Sequence, residues 1–78
     1  MYIGIIMMNP ATIKEYVKDA KRIWPGVYTF CLCCETYATE DIKSFIAKNR
    51  LEVLFLDKSL RCDIDAIRGD GCMIFEVP

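Results

Sequence analysis

Three of the five cysteines in the chain stand together in the segment CLCC, residues 31–34. Thiolates bind metals, exchange with disulfides and act as nucleophiles, so this segment could carry chemistry. A zinc site needs four converging ligands, but a strand would direct Cys31 and Cys33 to one face and Cys34 to the other. The paired C-x₂-C spacing of zinc ribbons is also missing. The sequence therefore predicts no metal site.

The same segment contains a C-x-x-C pair, Cys31 and Cys34, after the apolar residues YTF. It resembles the motif of thioredoxin- and glutaredoxin-like proteins, in which such a pair follows a strand and opens a helix that lowers the pKa of the first thiol. That resemblance implies a proline just before the facing strand. In the segment GDGCMIFEVP no proline precedes the strand CMIFEV, and its one proline follows it. The next helix also begins only near Thr39, several residues too late. The favoured interpretation treats Cys31, Cys33 and Cys72 as small hydrophobes in a sheet buried on both faces.

The composition argues against histidine-dependent catalysis, histidine-based zinc binding and nucleic-acid binding. The chain has no histidine, which is the commonest general base and zinc ligand. Few polar groups converge, so we expect no enzymatic activity and no cofactor. Ten basic and eleven acidic residues give a net charge of −1, which argues against a nucleic-acid partner.

The cysteine count and the amino terminus indicate a compartment. Five is an odd number, unlike the even sets of secreted disulfide frameworks, and the segment MYIGIIMMNPATIK lacks the pattern of a secretory signal. No apolar run approaches the ~18 residues of a membrane span. We therefore expect a cytoplasmic protein with no membrane association.

Apolar runs rich in β-branched and aromatic residues predict four strands, over residues 2–8, 27–34, 51–57 and 72–77. Between the first two, Asn9 and Pro10 suit the start of a helix that Pro25 and Gly26 end. A second helix, capped by Thr36 or Thr39, has Ile42, Phe45 and Ile46 on its inner face. A third, within 58–71, turns Leu60, Ile64 and Ile67 inward and is closed by Gly69 and Gly71.

The βαβαβαβ order predicts one α/β domain over residues 1–78, with a four-stranded, mainly parallel sheet flanked by three helices. This pattern resembles flavodoxin-like folds, and the resemblance implies the strand order 2-1-3-4. Parallel sheets bind ligands at the carboxyl ends of their strands. The polar residues predicted there, and hence the candidate ligand or partner site, are Asn9, Glu35, Thr36, Asp57, Lys58 and Ser59.

Two segments, YIGIIMMNPATIKEYVKDAKR and LEVLFLDKSL, resemble the receiver (CheY-like) domain of response regulators, a flavodoxin-like fold. The resemblance implies a phosphoacceptor at Asp57 and a Mg²⁺ held by an acidic pair near Met8 and Asn9. Methionine and a neutral amide are poor substitutes for carboxylate ligands of Mg²⁺. We therefore expect a truncated and degenerate receiver without phosphorylation, in which Asp57 caps the following loop.

The high apolar content, 54% of residues, and the lack of site chemistry predict a small non-enzymatic interaction or regulatory module, an adaptor or inhibitor of a larger protein. The fourth strand would be an apolar edge open to strand addition, including pairing with a second copy. The candidate interface is Trp24, Met73, Ile74 and Phe75, with Tyr16 and Tyr37 as further aromatic anchors. The alternatives are a thiol–disulfide protein using Cys31 and Cys34, and a phosphoacceptor receiver using Asp57.

Overall fold

The computed structural model describes residues 1–68 and 71–78, which form four β-strands, three α-helices and one 3₁₀ turn. The elements in chain order are β1 (Tyr2–Met7), α1 (Pro10–Ile23), β2 (Tyr28–Cys33), α2 (Thr39–Asn49), β3 (Val53–Asp57), the 3₁₀ turn (Lys58–Leu60), α3 (Ile64–Ile67) and β4 (Met73–Val77).

The four strands form one parallel sheet in the order β2-β1-β3-β4, which confirms the predicted fold class and strand order. The order reverses direction after β2. Right-handed crossovers therefore place α1 on one face of the sheet and both α2 and α3 on the other. This distribution leaves the four strands with a single helix on the α1 side within the described part of the chain.

Two apolar cores lie on the two faces of the sheet. The α1-side core is built on Ile3, Ile5, Met7, Ala20, Val27 and Val53. The α2-side core is built on Ile6, Ile42, Ile46, Leu51, Leu54, Leu56 and Ile67. Alternate residues of the central strand β1 feed the two cores, because successive side chains of a strand point to opposite faces.

Helix α1 begins as the sequence predicts. The Asn9 side-chain oxygen accepts a hydrogen bond from the Ala11 amide at 2.9 Å, and Pro10 occupies the first turn. The predicted caps of α2 are wrong: Ala38 is the cap residue and makes no side-chain bond, while Thr39 is already helical. The backbone leaves β2 through a loop long enough to place Thr36 outside the first turn.

The predicted third helix is divided in two. Asp57 caps the 3₁₀ turn, Arg61 ends it with a φ of 51°, and Asp63 then caps α3. The inward-facing prediction is confirmed for Ile67, which is buried, and for Leu60 and Ile64, which are partly buried against the α2-side core. Gly69, one of the two predicted closing glycines, lies outside the described residues. The other, Gly71, has a φ of 77°.

Candidate functional site

The polar end of the sheet is organised by Asp57. One carboxylate oxygen accepts a hydrogen bond from the Met8 amide at 3.0 Å, and the other accepts one from the Ser59 amide at 2.9 Å. These bonds, with the Met8 amide as the largest influence, hold the pKa of Asp57 below its usual range. The carboxylate joins β3 to the loop after β1, across the position where the strand order reverses and where ligands of such sheets bind. Asp57 therefore performs the capping role expected from the sequence.

The other predicted polar residues do not converge on a common point. The Asn9 side chain is used by helix α1. Glu35 and Thr36 are exposed in the loop after β2, and Lys58 and Ser59 are exposed in the 3₁₀ turn. Of the six predicted residues, the structure joins only Asp57 and Ser59 directly, through the Ser59 amide.

The cysteines of β2 are more exposed than the sequence predicts. Cys31 and Cys33 are both exposed, and Cys72 is only partly buried. The expectation of full burial is wrong because β2 is an edge strand, so it has a neighbouring strand on one side only. Cys33 donates a long hydrogen bond to the Met8 carbonyl, with a sulfur–oxygen distance of 3.5 Å.

The two thiols of the C-x-x-C pair lie on opposite faces. Cys31 is in register with Ile5 of the α1-side core, and the positive charge of Lys21 on α1 favours the thiolate form of Cys31. Cys34 packs against the α2-side core. Burial raises the pKa of both thiols, although Lys21 opposes this at Cys31. A raised pKa keeps these thiols protonated at neutral pH, the reverse of an activated cysteine.

A thiol neighbourhood that the sequence does not indicate links Cys34 to Cys62. Both pack against the α2-side core, and the Cys62 sulfur lies 3.9 Å from the carbonyl oxygens of both Tyr37 and Leu60, which share its single S–H as acceptors. Burial, followed by the neighbouring Cys33 and Cys62, raises the pKa of Cys34. Among the described residues no three histidine, cysteine or acidic side chains are grouped to hold a metal ion.

The α1 side of β3 and β4 presents an aromatic surface to solvent. Phe55 lies at the centre: its ring centroid is 5.7 Å from that of Phe75 in a stacked arrangement, and 5.7 Å from that of Tyr16 in a tilted one. Met73 and Phe75 remain 60% and 44% exposed. We call this surface the open face and define it by the residues Tyr16, Ile23, Phe55, Met73, Phe75 and Val77.

A groove of about 210 Å³ runs between α1 and β3 at the border of the open face. Its walls are formed by Tyr16, Asp19, Ala20, Ile23, Trp24 and Phe55. Ile23 is 54% exposed although it is a large apolar residue. The lining is apolar apart from Asp19, as in surfaces that bind other apolar groups.

Three of the four predicted interface residues lie on this side of the sheet. Met73 and Phe75 are in register with Val53 and Phe55, and Trp24 lines the groove. Ile74 points to the other face, where it packs against the α2-side core. Sequence reasoning missed Ile23 and Phe55. The predicted strand order with right-handed crossovers already puts one helix on one face of the sheet and two on the other. Counting the helices on each face would have indicated that β3 and β4 are uncovered on the α1 side.

A larger depression, of about 550 Å³, lies at the amino ends of the strands. It is lined by Ile46, Ala47, Arg50, Leu51, Glu52 and Gly71. Its position is remote from the carboxyl ends, where parallel sheets bind ligands.

No helix among the described residues is long and apolar enough to cross a membrane. Comparison with known proteins finds no match to the chain among protein-family models, curated proteins or solved structures. Function must therefore be inferred from the geometry of the chain's own residues.

Proposed function

We propose that this chain is a protein-interaction module, an adaptor or inhibitor of a larger protein, and that the open face is its contact surface. The observation that carries the proposal is the exposure of Met73 and Phe75 beside Phe55, on the side of the sheet where residues 1–68 and 71–78 supply one helix for four strands. Large aromatic side chains dominate interface energetics because each buries about 150–250 Å².

The arrangement of these rings supports the proposal. Phe55 and Phe75 stack, and Tyr16 holds Phe55 from the side of α1. The surface is therefore pre-organised, and a partner would order few additional side chains on binding. The electrostatics also fit, since the charged residue at the border, Asp19, lies at the rim and leaves the centre of the surface apolar.

Site-specific photo-crosslinking tests the contact surface. A photoreactive phenylalanine analogue at position 75 replaces one aromatic ring with another, and the same analogue at position 28 is the matched control. Tyr28 is 62% exposed, lies on the opposite edge strand and points to the α2 side. After irradiation in the native host cells, we expect a discrete adduct from position 75 and none from position 28. The same adduct from both positions, or none from position 75, would overturn the proposal.

The edge of β4 favours a second mode of interaction, the homodimer. β4 ends the sheet, so one side of its backbone has no strand to pair with in the described chain. A two-fold axis perpendicular to the sheet would pair two β4 strands in antiparallel fashion. With Phe75 at the axis, Glu76 faces Ile74 of the second copy and the two glutamates stay apart, which avoids a like-charge pair.

Light scattering at micromolar concentration tests this mode. We expect a dimer that Phe75→Asp converts to a monomer, because the substitution places two carboxylates on the axis. Ile74→Lys at the same edge should act likewise, and Tyr28→Asp on the opposite edge should leave the dimer intact. A strict monomer whose state is the same in all four proteins would contradict the edge dimer.

A further inference from the structure

We propose that the open face binds a single amphipathic helix supplied by another protein, alongside α1 and across β3 and β4. This inference rests on the proposed interaction function and names the occupant of the same surface. Three observations carry it: the dimensions of the uncovered sheet, the chemistry of its lining, and the lack of a spare apolar helix face in the described chain.

The dimensions fit one helix. Neighbouring strands lie ~4.8 Å apart and a helix with its side chains is ~10 Å wide, so one helix covers about two strands. α1 packs over β1 and β2, which leaves β3 and β4 for one more. Each of these strands has five residues. At ~3.3 Å per residue, the uncovered surface of β3 and β4 is ~17 Å long, which corresponds to about three helical turns.

The lining specifies the side chains of that helix. The floor is formed by Phe55, Met73 and Phe75, and the groove beside α1 can receive one row of apolar anchors. Such anchors would recur at i, i+4, i+7 and i+11 along one helix face. Asp19 of α1 stands at the rim of the groove, and its 3.8 Å contact with Arg22 joins two exposed side chains. An exposed pair of this kind is weak, so a basic flank on the incoming helix would be favoured.

A second copy of the chain does not provide this helix. α1 packs its apolar residues on its own sheet, apart from Ile23 at its end, and exposes Lys14, Lys18 and Lys21. α2 buries Ile42 and Ile46 against its own sheet, and α3 has only four residues. Inserting either long helix of a second copy into the open face would bury charged residues or remove its own core contacts.

A designed peptide is the direct probe. It is an alanine-rich helix of about 15 residues, labelled with a fluorophore, with leucines at i, i+4, i+7 and i+11 and lysines on one flank. A peptide of the same composition with the leucine spacing scrambled is the control. By fluorescence anisotropy we expect the patterned peptide to bind at least about tenfold more tightly than the scrambled one, a difference of ~1.4 kcal/mol.

Variants of the protein locate the binding surface. Phe75→Ser should weaken binding of the patterned peptide about tenfold, and Ile23→Ser on α1 should weaken it independently if Phe75→Ser fails to fold. Tyr28→Ser, which alters a more exposed ring on the opposite edge, should leave binding within about twofold of the unmodified protein. A peptide that carries glutamates in place of the lysines should bind more weakly.

Equal binding of the patterned and scrambled peptides, or equal losses in Phe75→Ser and Tyr28→Ser, would overturn the helix proposal. If the peptide fails while the position-75 crosslink still forms, the occupant is wrong and the interaction function stands. If both fail, the interaction function itself is wrong.

Discussion

Asp57 stabilises the fold as a carboxylate. Its pKa is lowered in the folded chain by the Met8 and Ser59 amides, so this contribution is fully present above the unfolded pKa of ~3.9 and disappears as the pH falls through the lower folded value. Asp57→Asn should reduce the free energy of unfolding by about 1 kcal/mol at pH 7 and by less at pH 3, because an asparagine has one acceptor oxygen for the two amides and carries no charge.

Urea unfolding at both pH values measures this difference. Glu35→Gln, which changes an exposed loop carboxylate, is the control and should change stability little at either pH. A deficit in Asp57→Asn that is the same at pH 7 and pH 3 would contradict the role of the charge. A phosphate adduct after incubation with a phosphodonor and Mg²⁺ would contradict the expectation that this carboxylate is structural only.

Thiol exposure gives a second prediction at the residue scale. Cys31 and Cys33 are exposed on the edge strand, whereas Cys34 is partly buried, so a thiol reagent should label the first two rapidly in the native protein. The exposure of Cys31 is incomplete, and its partial burial raises the pKa of its thiol, so its labelling should keep accelerating as the pH rises above neutrality. The double variant Cys31→Ser/Cys33→Ser should lose the fast phase of labelling, while Cys34→Ser should keep it. A fast phase that persists in the double variant would show that another thiol is more accessible.

At the scale of elements, Gly4 sets how closely α2 and its following segment approach strand β1. A Cβ at this position would collide with the Leu51 side chain and crowd those of Leu54 and Phe45. Gly4→Ala should therefore lower the free energy of unfolding by about 1–3 kcal/mol, the usual cost of overpacking a core.

A double-mutant cycle separates this collision from other causes. Leu51→Val shortens the side chain that meets the new methyl group, so it should cost less in Gly4→Ala than in the unmodified chain, by at least about 0.5 kcal/mol. Denaturant unfolding of the four proteins provides the measurement. Strictly additive losses would show that the contact with Leu51 does not explain the effect of Gly4→Ala.

At the scale of the whole molecule, the sheet has a protected centre and two open edges. β1 pairs with β2 on one side and β3 on the other, while β4 pairs with β3 alone. In hydrogen exchange followed by NMR, the amides of Ile5 and Ile6 should exchange slowest, and alternate amides of β4 should exchange rapidly at low protein concentration. Protection of β4 equal to that of β1 at every dilution would mean that its edge is covered in the isolated chain.

The element order could be read from the chain because it depends on local patterns. Apolar runs and alternating helical segments predict the strands to within a residue or two, and Asn9 and Pro10 predict the start of α1. The cap of α2 and the division of the third helical segment could not be predicted in this way. They depend on how the loop after β2 and the turn after Asp57 pack against the α2-side core, which no local pattern encodes.

The sequence by itself determined the fold class and the capping role of Asp57, since these follow from hydrophobic periodicity, crossover handedness and local hydrogen bonding. The strand order was expected from the resemblance to flavodoxin-like folds, and the structure confirms it. Only the tertiary structure decided that Cys31 and Cys33 are exposed, that Cys34 lies near Cys62, and that Phe55 and Phe75 form a surface. The physical reason is the same for all three. Exposure depends on which strand lies at an edge and which face lacks a helix, and both are set by contacts between segments far apart in the chain.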